Sequence, residues 1–176
     1  MVATGNGTVG LASAMFAAEP NHWVMPAWSF PATALAAIQV GKRISFTDLN
    51  PQTWLPDQVP LAPTLGRLSV LPFGAGFEHG LSSTSGEHII DAAASLASQP
   101  DLASIPRETT VVFSLHATKT MGGAEVGIVI FGSRERAEIA RAWINFGFSG
   151  ERLSSSLGTN GKLSEYDAAV ANARLD

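Results

Sequence analysis

The composition of this chain is that of an ordinary globular domain. Its 176 residues are 45% hydrophobic and 15% charged, which is enough for one sizeable core and unlike a disordered chain. A net charge of −4 gives no basic surface for nucleic acid, and the absence of cysteine excludes disulfides and thiolate metal sites. With neither a membrane-length apolar run nor a signal-peptide pattern, we expect a cytoplasmic protein that binds no membrane.

Short runs of Val, Ile and Leu alternate with helical patterns along the chain. In chain order the patterns predict a helix over 8–18, a strand over 23–25, a helix over 31–40, strands over 43–47, 68–71, 88–90, 110–113 and 126–131, and helices over 134–146 and 163–175. Runs this apolar are typical of strands buried on both faces. We therefore predict an α/β fold of three layers, with a mostly parallel central sheet and helices on both faces. The stretches 52–66 and 73–86 lack a clear period and are expected to be irregular crossovers.

The segment Ser114-Leu115-His116-Ala117-Thr118-Lys119 places a lysine at the end of a buried strand. A desolvated lysine amine is partly neutral and forms Schiff bases with carbonyl compounds and with pyridoxal phosphate. Lys119 is therefore a candidate covalent anchor. The alternative is that Lys119 has left the strand and points into water.

Two further patterns carry possible chemistry, each with an ordinary structural alternative. Asn6-Gly7-Thr8 precedes a helix, where backbone N–H groups and a hydroxyl form either an anion site or a turn with an N-cap. Asp91 ends a predicted strand, where α/β sheets bind ligands, and it could pair with a protonated ring nitrogen. It could equally cap a following helix.

An aromatic pair and a polar loop complete the set of candidate positions. Trp28 and Phe30 lie at a strand-to-helix turn, where either ring could cover a planar cofactor or fill the core. The run Gly158-Thr159-Asn160-Gly161-Lys162-Leu163-Ser164-Glu165 leads into the last predicted helix, and its alternative is a plain helix start.

The order and spacing of these patterns match one family. The chain resembles the DegT/StrS family of sugar-nucleotide aminotransferases, which are fold-type I pyridoxal-phosphate enzymes. The resemblance is carried by Asn6-Gly7-Thr8 with Val9-Gly10-Leu11, Pro26 to Thr33, Ile89 to Ala93, Ser114 to Lys119 with Glu125-Val126-Gly127, and Gly158 to Glu165. The Ser-x-His-x-x-Lys element is its most specific part.

The resemblance implies a role for each matching position. Lys119 would hold pyridoxal phosphate (PLP) as a Schiff base and move a proton between substrate and cofactor, and Asp91 would bond the pyridine nitrogen. Ser114 and the Thr8 segment, with the backbone of Gly7 and Val9, would hold the phosphate. Phe30 matches the stacking aromatic better than Trp28 does. Asn160 would reach the phosphate of a neighbouring subunit, which implies a homodimer.

The implied reaction is amino transfer, usually from glutamate, to a keto group of a nucleotide-linked deoxysugar. Residues 1–176 would correspond to the large cofactor domain, without the family's preceding helix and its small C-terminal domain. Ala94 stands where the family commonly has Gln or His, and the crossover over 52–86 looks shortened. The alternative function is a catalytically incomplete scaffold or regulatory binding domain. Sugar dehydratases of the family carry histidine in place of the lysine, so Lys119 argues against them.

Overall fold

The computed structural model describes residues 1–56, 62–77, 86–98, 101, 103 and 105–174, which form one mixed sheet with helices. The elements are β1 (Val2–Thr4), α1 (Gly7–Ala17), β2 (His22–Pro26), α2 (Pro31–Gln39), β3 (Arg43–Thr47), β4 (Leu65–Val70), β5 (His88–Asp91), β6 (Thr109–Ser114), β7 (Gly127–Phe131), α3 (Arg134–Trp143) and α4 (Glu165–Asn172). Short 3₁₀ turns lie at Pro72–Gly74 and Leu96–Ser98. The predicted α/β fold is confirmed.

The sheet has the strand order β1-β7-β6-β5-β4-β2-β3. The five strands from β6 to β3 are parallel, and β7 runs antiparallel to both of its neighbours. The carboxyl ends of the parallel strands therefore share one edge, which we call the carboxyl edge. Thr4 and Ser114 are both in register with Gly127, so β1 delivers the start of α1 to this same edge.

Helices cover both faces of the sheet. On one face α1 packs against α2 and α3, and most of its residues are buried, as in a core helix. On the other face α4 contributes Ala171 to a cluster with Leu115 and Val126. Within the described residues, no helix has both the length and the apolarity to cross a membrane.

The sequence patterns missed β1, began β4 at 68 instead of Leu65, extended α3 to 146 instead of Trp143, and misplaced the start of the last helix. A three-residue strand is too short to show a period, and it forms because Val2, Ala3 and Thr4 pair with β7. The last helix begins at Glu165 instead of position 163, because Ser164 Oγ accepts a hydrogen bond from the Asp167 N–H and caps the helix there. Parts of the expected crossovers (57–61 and 78–85) and Leu175 lie outside the described residues.

His88 is a buried polar residue at the start of β5. Its side chain is 2% exposed, and its Nε2 lies 2.8 Å from Ser69 Oγ on the neighbouring strand. Burial, with a smaller contribution from the positive charge of Arg67, lowers the pKa of His88 to about 4. His88 is therefore neutral in the folded protein at every pH near neutrality.

The His88 site predicts an acid-sensitive stability. An unfolded histidine titrates near pH 6.5, so between about pH 6.5 and pH 4 the unfolded chain binds the extra proton. We expect the free energy of unfolding to fall by about 3 kcal/mol as the pH drops through this window. Urea titrations at several pH values measure it. His88→Gln should flatten this part of the profile, and an unchanged slope in that variant would contradict the assignment.

Candidate functional site

Asp91 forms the floor of the candidate site at the carboxyl edge. It is the last residue of β5, between Val70 of β4 and Val112 of β6, and is 5% exposed. Burial raises the pKa of Asp91 above its ordinary value, while hydrogen bonds from Thr33 and Ala93 and the charge of Lys119 oppose this rise. The result is a desolvated carboxyl group that a cationic partner would stabilise.

The sequence left two interpretations of Asp91 open, and the structure contains parts of both. Oδ1 accepts the Ala93 N–H at 3.1 Å, as in a capping turn. Residues 92–98 form only turns and a short 3₁₀ segment, so Asp91 does not begin an α-helix there. The carboxyl group also lines a cavity, which is the position expected of a ligand-binding residue.

Thr33 is a site residue that no sequence pattern identified. Its Oγ1 donates a hydrogen bond of 2.7 Å to Asp91 Oδ2, across from α2 to the sheet. Thr33 is fully buried on the same side of α2 as Ala36 and Ala37, three and four residues further on. A threonine in register with a buried alanine face is the signal that could have identified it, because a buried hydroxyl needs a hydrogen-bond partner.

Thr33→Val tests this hydrogen bond. The variant keeps the branched shape but removes a donor to the Asp91 carboxylate, which raises the pKa of Asp91 further. Hydrogen bonds to charged groups contribute about 1.5–3 kcal/mol, so we expect the free energy of unfolding at neutral pH to fall by about that amount. In an Asp91→Asn background the same change should cost less. Equal losses of unfolding free energy in both backgrounds would show that the effect does not come from the hydrogen bond between Thr33 and Asp91.

A cavity of about 330 Å³ lies above Asp91 and brings the predicted residues together. Its walls include Lys119, Phe30, Trp28 and Phe73. Lys119 is partly buried, so the alternative in which it points fully into water does not describe its position. Phe30 is 73% exposed, and its ring is therefore accessible to a planar group.

The loop that carries Lys119 connects β6 to β7 and is tightly closed. The Leu115 N–H bonds to the carbonyl of Val126 at 2.9 Å, and the Lys119 N–H bonds to the carbonyl of His116 at 2.8 Å. The Gly122 N–H returns to the Lys119 carbonyl at 2.8 Å. A Cβ on Gly122 would collide with the His116 carbonyl oxygen, so glycine is required for this loop to hold Lys119 at the cavity.

His116 ties the two ends of this loop together. Its Nδ1 lies 3.3 Å from the Thr118 N–H and 2.9 Å from the Thr118 hydroxyl. Because a backbone N–H only donates, Nδ1 is the acceptor and the ring proton lies on Nε2. Nε2 is 3.2 Å from Glu125 Oε1, so His116 donates to the carboxylate at the far end of the loop. The ring thus holds the turn that precedes Lys119.

The start of α1 and the end of β6 form a small polar cradle. Gly7 approaches Ser114 so closely that an added Cβ would lie 2.9 Å from Ser114 Cβ. An added Cβ on Gly7 would also lie 3.3 Å from Ser114 Oγ, which accepts the His116 N–H at 3.2 Å, and Thr8 is partly exposed at the start of α1. The N–H of Val9 is already bonded to Asn6 Oδ1 at 2.9 Å. Gly7, Thr8 and Ser114 therefore suit an anion better than Val9 does.

Asn160 lies outside the cavity, on the protein surface. The neighbouring Gly161 carbonyl accepts the Gly5 N–H at 2.9 Å, which fixes this segment beside the start of α1. Asn160 is exposed, and its Oδ1 accepts a 2.7 Å hydrogen bond from Lys162 Nζ. Its side chain is therefore available to a second molecule.

Comparison with known families identifies the chain. The family described as DegT/DnrJ/EryC1/StrS aminotransferases matches residues 1–65 and 87–176. The chain belongs to this family. The match of this DegT-family chain is interrupted over 66–86, which lies within the predicted crossover over 52–86 that looks shortened.

Several named proteins are similar to this DegT-family chain. It is 29% identical to a dTDP-4-amino-4,6-dideoxy-D-glucose transaminase of Shigella dysenteriae, over 97% of the chain and 50% of the relative. The crystal structure of DesI in the presence of its TDP-sugar product is 32% identical, with a TM-score of 0.80 over 99% of the chain and 48% of DesI. NtdA from Bacillus subtilis with bound cofactor PMP shares the fold, at 24% identity and a TM-score of 0.84 over 99% of the chain and 43% of NtdA. The chain spans about half the length of the curated relatives that it matches.

The residues present fit the PLP that the resemblance implies. A buried carboxyl group faces the cavity where a protonated ring nitrogen would compensate its charge. The cradle of Gly7, Thr8 and Ser114 would hold a phosphate, because the lack of a side chain at Gly7 lets the start of α1 lie close to the Ser114 hydroxyl. Among the described residues, no group of three His, Cys, Asp or Glu side chains forms a metal site.

Proposed function

We propose that residues 1–176 are the PLP-binding large domain of a sugar-nucleotide aminotransferase. The reaction is transfer of an amino group, from glutamate as donor, to a keto group of a nucleotide-linked deoxysugar. The observation that carries the proposal is that Lys119 and the buried carboxyl of Asp91 line the same cavity at the carboxyl edge. Family membership and the named activity of the Shigella relative support the substrate class.

Each site residue has a distinct task in this proposal. PLP, when bound, supplies the electron sink for bond changes at the substrate carbon. The Asp91 carboxylate holds a proton on the ring nitrogen, and Thr33 and the Ala93 N–H hold that carboxylate in place. Lys119 Nζ would hold the cofactor covalently and would move a proton to and from the reacting carbon.

The remaining site residues would bind and orient the cofactor. Ser114 Oγ, the Thr8 hydroxyl and the N–H groups of Gly7 and Thr8 hold the phosphate, with Val9 contributing only as a neighbour, because Asn6 already accepts its N–H. Phe30, which lines the cavity, would stack on the ring of the cofactor. Orientation of this kind accounts for much of the rate in such reactions, because it replaces a bimolecular encounter.

The proposed site is completed by a second subunit in a homodimer. The proposed location of this homodimer is the cytoplasm. Asn160 is exposed beside the start of α1, where it can reach the phosphate cradle of a second subunit. Exposed apolar side chains precede this segment in the chain, including Leu153 and Leu157, which are 71% and 79% exposed. Apolar surface of this kind is typical of protein interfaces.

Trapping of the PLP adduct by borohydride reduction tests the proposal. The purified chain is mixed with PLP, reduced with borohydride and digested, and the adduct is located by mass spectrometry at Lys119. The amino-transfer half-reaction is then followed with dTDP-4-amino-4,6-dideoxy-D-glucose, which should convert PLP to the amino form. An adduct without this conversion would favour the scaffold or regulatory domain. Absence of any adduct at Lys119 would refute the proposed function.

A further inference from the structure

Three aromatic side chains form a cluster at the outer rim of the cavity. The rings of Trp28 and Trp54 meet edge to face with centroids 5.1 Å apart, and those of Trp28 and Phe73 are tilted with centroids 5.5 Å apart. Trp28 follows β2, Trp54 lies after β3 and Phe73 follows β4. We call these three side chains the aromatic rim.

The aromatic rim is exposed in a way that core packing does not explain. Phe73 is 84% exposed, Trp54 55% and Trp28 44%. Trp23 and Phe113, by contrast, lie in the core and are 0% and 1% exposed. Three touching rings on the surface form an apolar patch of the kind that marks a binding site.

The backbone at the aromatic rim is held in a costly conformation. Trp54 has φ 62° and Phe73 has φ 53°, both in the left-handed region that bulky residues avoid. Such residues carry backbone strain, and strain of this kind concentrates at ligand-binding sites. A glycine or asparagine at either position would relieve the strain. The chain instead has an aromatic residue at both positions.

The aromatic rim continues from the wall of the cavity onto the outer surface. Trp28 and Phe73 line the cavity together with Lys119 and Asp91, whereas Trp54 is not among its lining residues. A ligand whose reacting carbon lies at Lys119 would therefore extend past Trp28 and Phe73 towards Trp54. In a nucleotide-linked sugar, the group remote from the reacting carbon is a planar base, which stacks on aromatic rings.

We propose that the aromatic rim is a stacking subsite for the base of the nucleotide-linked sugar. This inference rests on the proposed function and adds to it the place where the base binds. Base stacking is tolerant of base identity, so the subsite should accept the uracil and thymine bases alike. It provides binding energy remote from the reacting carbon, which helps to orient the substrate at Lys119.

Titration of the PLP-treated chain with dTDP and with UDP tests the subsite. Trp28 and Trp54 are two of the four tryptophans, so tryptophan fluorescence should respond to binding. Phe73→Asn and Trp54→Asn remove a ring while suiting the left-handed backbone, so misfolding does not explain a loss. We expect each to weaken dTDP binding about 5- to 100-fold.

Matched controls separate stacking from other effects. Phe73→Tyr should keep the affinity within about twofold, because it preserves the ring. Phe46→Thr removes an exposed aromatic on β3, 58% exposed, and should leave binding unchanged. Ribose 5-phosphate, which lacks a base, should bind at least about tenfold more weakly than dTDP.

The outcomes distinguish this inference from the proposed function. Wild-type affinity for dTDP in both asparagine variants, or equal binding of ribose 5-phosphate, would overturn the subsite. A PLP adduct at Lys119 without ring-dependent dTDP binding would leave the aminotransferase proposal standing and remove the subsite. Ring-dependent dTDP binding without an adduct would support the subsite and refute the aminotransferase proposal.

Discussion

Lys119→Arg is expected to abolish covalent capture of PLP by this chain. Arginine keeps a positive charge beside Asp91, but its guanidinium stays protonated and forms no Schiff base. The borohydride-trapped adduct should fall to background. Where amino transfer is measurable, its rate should fall about 10²- to 10⁴-fold, the usual contribution of a positioned acid–base group. Mass spectrometry of the reduced, digested protein measures the first effect.

The other two lysines provide controls for this experiment. Lys42 is the stronger rival, because burial lowers its pKa despite the opposing charge of Glu87. Its Nζ, however, donates to the Ala18 carbonyl at 2.8 Å, and it precedes β3 at the edge opposite the cavity. Lys162 is exposed and lies over the Phe146 ring. Lys42→Arg and Lys162→Arg should both retain the adduct. An adduct that persists in Lys119→Arg would contradict the assignment.

Asp91→Asn is expected to weaken PLP binding while stabilising the cofactor-free protein. Loss of a charge-assisted hydrogen bond to the ring nitrogen corresponds to about 10- to 100-fold in affinity. In the absence of cofactor, the same carboxylate is desolvated and its pKa is raised, so its ionised form opposes folding. Fluorescence titration with PLP and thermal unfolding without it measure the two effects.

The pH dependence of this stabilisation is set by the direction of the pKa shift. Because burial raises the pKa of Asp91 in the folded state above its value of about 3.9 in unfolded chains, the folded protein holds the extra proton between the two. Wild-type stability therefore decreases as the pH rises through that window. The advantage of Asp91→Asn should be largest at neutral pH and should vanish below about pH 3.9. A variant less stable than wild type at neutral pH would contradict this account.

The sequence was most informative where local signals are strong. Pro31 at the first turn of α2 and the Arg134 segment of α3 mark helix starts that the structure retains. The apolar run Thr110-Val111-Val112-Phe113 is a fully buried strand, as its composition predicts. Patterns with a clear period predicted their elements, because burial of one face is a property of neighbouring residues.

Pairing between distant segments could not be predicted in the same way. β1 has no period of its own and exists because β7 presents a free edge to it. The role of Thr33 depends on a carboxylate 58 positions away in the chain, which no local pattern reveals. Likewise, Trp28, Trp54 and Phe73 meet only because β2, β3 and β4 end at the same edge.

Residue types at short spacings and the order of the motifs were enough to establish the layers, the family resemblance and Lys119 as a reactive candidate. The folded structure was needed to establish that Lys119 shares a cavity with Asp91 and that the N–H of Val9 donates a hydrogen bond to Asn6 Oδ1. The two kinds of property differ because desolvation and hydrogen-bond partners are set by contacts between strands far apart in the chain.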